Sequence, residues 1–121
     1  SYTTYKYDDL KLAQKEITKD GTVDVSVKVT NTGDRDGVEI VQLYIRDKFS
    51  SVTRPVKELK DFTRVLLKAG ESQVVNFKIT PDKLAYWNRN MQYGVEKGEF
   101  EIMIGSSSQD KDLKKVKMEV L

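Results

Sequence analysis

The chain has no cysteine, no histidine, two prolines and seven glycines in 121 residues. Without cysteine there is no disulfide, no thiolate nucleophile and no sulfur-ligated zinc, and the redox compartment stays undecided. Without histidine the commonest general base, the Ser-His-Asp arrangement and most transition-metal sites drop out together. No apolar run approaches the roughly 18 residues needed to span a bilayer, and the N-terminus has no basic-then-apolar signal pattern, so no compartment is specified. Neither sign of charge prevails: 21 basic against 19 acidic side chains leave +2, too weak a field to steer nucleic acid or a membrane. The seven glycines are few for the corners of a small closed barrel.

What is there is alternation. In the stretch Thr22–Asp47, Val23, Val25, Val27 and Val29 share one face and Asp24, Ser26, Lys28 and Thr30 the other, the pattern of a strand with one dry side. Asn31-Thr32-Gly33-Asp34-Arg35-Asp36-Gly37 then gathers turn formers, with both glycines as positive-φ candidates. Val38 to Ile45 resumes as a strand with apolar residues on both faces: Val41, Leu43 and Ile45 on one, Val38, Ile40 and Tyr44 on the other. That pattern predicts either a bulge near Ile40 or an outer face covered by something beyond the domain's own core.

The rest of the chain repeats the theme. Tyr5-Lys6-Tyr7 and Leu10-Lys11-Leu12 predict an edge strand interrupted at Asp8-Asp9, and Lys19-Asp20-Gly21 a turn. Phe49 to Lys60 is a long connection holding Pro55, which cannot donate to a central ladder. Phe62, Val65 and Leu67 supply a short strand, and Val75, Phe77 and Ile79 the next. Thr80-Pro81-Asp82-Lys83-Leu84 predicts one helical turn. Phe100, Ile102 and Ile104 form a strand, and Val116, Met118 and Val120 a last one on an edge protected by Lys111, Lys114, Lys115 and Lys117. Seven or eight short strands at about ten-residue spacing, with no long helical period, predict an all-β Greek-key sandwich in a single domain, residues 1–121. A core of that size requires no cofactor. The strand-like start Ser1-Tyr2-Thr3-Thr4-Tyr5 is expected of a piece cut from a longer protein.

Few residues invite chemistry. Asp34 and Asp36 suggest a calcium loop, but alignment on Gly37 puts Thr32 and Leu43 at the first and twelfth ligand positions, so they read as turn formers. Asp8 and Asp9 point to opposite sides, and Glu99 and Glu101 share a face expected to be solvated; neither pair suits general acid and base work. Tyr86, Trp87, Asn88, Arg89 and Tyr93 form the densest aromatic group. Trp87 and Tyr93 are candidates for a platform that stacks on sugar rings, weighed against burial in the core or a tyrosine corner, with at most one of Tyr86 and Trp87 pointing outward.

Several segments resemble a known family. Val29 to Gly37, Glu39 to Ile45, Ser51-Val52-Thr53-Arg54-Pro55-Val56-Lys57-Glu58-Leu59-Lys60 with Phe62 and Arg64, Gly70-Glu71-Ser72, and Gly98-Glu99-Phe100 through Gly105-Ser106-Ser107-Ser108 are similar to the fibronectin type III-like domain at the C-terminal end of family 3 glycoside hydrolases, the β-glucosidases and β-xylosidases. Asp61 stands where a glycine is usual and Ala69 where a proline is usual. The resemblance implies an immunoglobulin- or fibronectin III-like fold without catalytic residues, since the family's nucleophile and acid/base groups lie in other domains. It implies the catalytic domains of the same parent chain as partners, an accessory role, and no cofactor or metal. Ile40, Tyr44, Val52, Arg54, Pro55 and Leu59 are the expected interface with them. The rivals are a carbohydrate-binding module using Trp87 and Tyr93, and a free-standing interaction domain.

Overall fold

A computed structural model of the chain describes residues 3–48, 56–87 and 90–121. Seven long strands carry the fold: β1 (Tyr5–Leu12), β3 (Val23–Asn31), β4 (Gly37–Asp47), β5 (Glu58–Leu67), β6 (Ser72–Ile79), β9 (Gly98–Gly105) and β10 (Leu113–Val120). Three strands of two residues accompany them: β2 (Glu16–Ile17), β7 (Tyr86–Trp87) and β8 (Tyr93–Gly94). One sheet has the order β1-β3-β6 and the other β2-β10-β9-β4-β5, while β7 and β8 form a separate hairpin. The chain crosses between the sheets after β1, β2, β3, β5 and β6, as in a Greek-key sandwich.

The strict alternation of β3 settles which face is dry. Val23, Val25, Val27 and Val29 are buried and stand opposite the β6 face that carries Val75, Phe77 and Ile79. From the other sheet, Val41, Leu43, Ile45, Phe100, Ile102 and Met118 close the same core. Sheets with one apolar face each have only this way to exclude water.

β1 runs through the expected interruption as one strand with a register shift between Asp8 and Lys11. Asp9 takes a left-handed φ of 54° there, a conformation that Asp tolerates better than most residues. The predicted helical turn is α1 (Pro81–Leu84), although Thr80 makes no side-chain cap to its backbone. Three expectations are corrected. β5 begins at Glu58, inside the stretch read as a connection, and residues 49–55 lie outside the described residues. β10 is not an edge along its whole length, because β2 pairs with its end in parallel, Glu16 with Glu119 and Ile17 with Val120. Gly33 and Gly37 do not take positive φ; that conformation belongs to Gly70 and Gly98. What demands glycine at 33 and 37 is close approach: a Cβ on Gly33 would fall 1.8 Å from Thr3 Oγ1, and one on Gly37 2.4 Å from the Tyr5 hydroxyl.

Candidate functional site

The outer faces of the two sheets differ in character. On the three-stranded sheet, Asp24 pairs with Lys78 at 3.1 Å and Thr30 with Ser72 at 2.7 Å, so this face is largely polar and hydrogen-bonded to itself. On the five-stranded sheet, the β4–β5 register sets Val38 opposite Leu66, Ile40 opposite Arg64, Gln42 opposite Phe62 and Tyr44 opposite Leu59. Directly opposed residues share a face, so these side chains form one surface. It is exposed: Ile40 is 39% accessible, Leu59 50%, Phe62 61% and Leu66 69%.

The register shifts between Leu43 and Tyr44, where Lys60 of β5 is the unpaired residue. The bulge thus lies on the partner strand and not at Ile40. Tyr44 points away from the main core but is covered by its own chain, packed with Met103 and Leu113. Its hydroxyl donates to Gln42 Oε1 at 2.5 Å, and Gln42 Nε2 donates to the carbonyl of Ser106 at 3.0 Å. Of the residues expected at an interface, Ile40 and Leu59 are therefore exposed together and Tyr44 is buried on the same face, while Val52, Arg54 and Pro55 lie outside the described residues. Phe62 and Leu66 were not singled out from sequence. The signal was present, because alternation places them on the opposite face from Val65 and Leu67.

The β7–β8 hairpin presents a second surface. Trp87 stands opposite Tyr93, with ring centroids 5.3 Å apart and planes tilted by 54°. Trp87 is 62% and Tyr93 57% accessible, which rules out the core or tyrosine-corner position for either. Tyr86 is partly buried and donates its hydroxyl to Glu96. Burial, then that bond and the nearby Asp47, push its phenol above the ordinary range.

Several carboxylates are committed to partners. Glu101 is not solvated as expected: its side chain is 14% exposed and lies 3.6 Å from Arg46. Asp36 accepts the Ala69 N–H at 3.0 Å, a bond from the β3–β4 loop to the β5–β6 turn and not the one to its own backbone that a turn former makes. Asp110 accepts from Lys57 at 2.9 Å and Lys115 at 3.4 Å, and both bonds lower its pKa. Among the described residues no cluster of carboxylates is set to hold a metal ion, and no helix is long and apolar enough to cross a membrane. Glu39, unnoticed in the sequence, is buried on the core side of β4, where Tyr7 donates to its Oε2 at 2.8 Å and the Ile40 N–H to its Oε1 at 3.1 Å. Burial raises its carboxyl above the ordinary value, against the lowering effect of those two bonds.

A two-sheet body of this strand order defines the class, and comparison agrees: residues 39–108 match the model of the fibronectin type III-like domain, and the chain belongs to that family. It is 48% identical over 120 residues to a β-xylosidase of Formosa agariphila, covering 99% of this chain and 17% of that protein. It is 44% identical over 108 residues to a periplasmic β-glucosidase of Salmonella typhimurium, covering 89% and 14%. Among solved structures, a β-glucosidase from Erythrobacter marinus superposes with a TM-score of 0.90 at 40% identity, covering 99% of this chain and 16% of that one. The chain thus spans about one-sixth of the length of the relatives it matches.

Proposed function

We propose that this chain is a non-catalytic accessory domain of a family 3 glycoside hydrolase of the β-glucosidase or β-xylosidase type, packing on the catalytic portion and stabilising it. The observation that carries this reading is the contrast between the two outer faces. A β4–β5 surface holding Ile40, Leu59, Phe62 and Leu66 is an apolar patch of the kind that marks a partner surface. The opposite face has no comparable group, only Val74 among polar neighbours. The relatives point to the partner, since this domain is a small part of each longer glycosidase. Chemistry on this chain has little to work with: several of its acids are held by lysine, arginine or backbone partners, and it has no histidine.

The test compares three proteins on aryl β-glucoside and β-xyloside: the chain alone, the full parent enzyme, and the parent lacking this segment. The chain alone is expected to give no turnover, and the shortened parent to lose activity on heating at a lower temperature than the full one. Turnover by the chain alone, or a shortened parent as heat-resistant as the full enzyme, would sink the reading.

A further inference from the structure

The Trp87–Tyr93 pair has a geometry that neither the core nor the β4–β5 face uses. The two side chains are held opposite one another by the β7–β8 ladder, while neighbouring Tyr86, directed to the other side, is tied to Glu96. The contact between the rings, tilted by 54°, is of the edge-to-face type that stabilises aromatic pairs. It still leaves more than half of each side chain in water. We propose that this pair is a carbohydrate-binding site that takes the apolar faces of β-linked pyranose rings. The choice of ligand rests on the glycosidase reading above; the binding itself does not.

The chemistry of the ligand matches an open aromatic pair. A β-pyranose presents axial C–H groups on its faces and hydroxyls around its rim, so it can bury apolar surface on an indole or phenol while its hydroxyls stay hydrated. No enclosed pocket is needed. The segment joining these two rings carries the amides Asn90 and Gln92 beside the exposed Met91. Two partly used aromatic faces fit weak binding, with a dissociation constant on the order of 1 mM.

Trp87 is the sole tryptophan of the chain, so its fluorescence reports on this site alone. The chain is titrated with cellotetraose, laminaritetraose and xylotetraose. A saturable change in emission is expected with at least one of them, weakened tenfold or more in Tyr93→Ala and within twofold of the original in Tyr93→Phe, which keeps the ring. Trp87→Ala, followed by electrophoretic retardation in soluble glucan and xylan, should lose retardation while keeping its far-UV circular dichroism. Three outcomes would overturn the proposal: no saturable change with any of the sugars, a change indifferent to Tyr93→Ala, or an emission shift that appears only on mixing with the rest of the parent chain. The last would make the hairpin a protein contact, and all three leave the heat-stability test of the accessory role standing.

Discussion

At the scale of single residues, two buried polar side chains dominate. Asn31 is fully buried, and its Oδ1 accepts from the Thr3 hydroxyl at 2.8 Å and the Gly33 N–H at 3.0 Å. Its Nδ2 donates to the carbonyls of Arg35 at 2.7 Å and Leu67 at 3.1 Å. Its own N–H and carbonyl engage Glu71 and Gly70, so one residue ties together the ends of β1, β3, β5 and the β5–β6 turn. Asn31→Ala would leave several buried groups without partners and is expected to cost about 3 kcal/mol in urea titration; a loss under about 1 kcal/mol would show that water or backbone adjustment replaces it. Glu39 acts in the opposite sense. A carboxyl whose folded pKa is raised favours folding when protonated, so its cost is present at neutral pH and is relieved as pH falls through that raised value and below the ordinary 4.5. Asp24 and Asp110, whose pKa values are lowered from 3.8, give stability that is lost further down, as pH falls below 3.8. The two trends separate by difference: measured against the original at each pH, Glu39→Gln should fare better at pH 7 than it does below pH 4.5. A difference independent of pH would assign the effect to packing and not to ionisation.

At the scale of elements, what could be read in the sequence follows from period. The valines of β3, the Phe100-Ile102-Ile104 run of β9 and the interruption in β1 were legible because a half-buried strand imposes alternation on the residues that form it. The β4–β5 register was not, since it depends on a bulge at Lys60 that no local signal announces. The aromatic hairpin was legible as a cluster but not as a surface, because propensity does not say which side of a short ladder meets water. Least visible was β2, two residues long. After β1 pairs with β3, the chain moves to the other sheet, where Leu121 donates its N–H to the Ile17 carbonyl at 2.8 Å and Glu119 to that of Lys15 at 2.8 Å. One segment therefore stitches both layers at one edge, with the buried Ile17 as its anchor in the core. Ile17→Ala is expected to cost about 2–3 kcal/mol, the loss typical of a core position and not of a frayed end. A urea titration reading below about 1 kcal/mol would mean that β2 detaches freely.

At the scale of the molecule, the contrast between outer faces separates self-stability from assembly. Phe62 and Leu66 lie on the surface of an outermost strand, so changing them should not disturb the core formed by β3, β4, β6 and β9. Phe62→Asp with Leu66→Asp is therefore expected to leave the chain's own unfolding free energy within about 1 kcal/mol, since exposed substitutions usually change it by about 0.5 kcal/mol or less each. On the docking proposed above, the same pair of changes in the full parent enzyme would place two carboxylates in an apolar contact, where unpaired charge is strongly disfavoured. Heat inactivation of the parent should then move to lower temperature, towards that of the parent lacking this segment. Val74→Asp supplies the control: Val74 is 65% exposed on the outer face of the three-stranded sheet, so an equal charge there should leave both the chain and the parent unchanged. If Val74→Asp destabilises the parent while the double change does not, the docking face belongs to the polar side of the sandwich, and the assignment made from Ile40, Leu59, Phe62 and Leu66 is wrong.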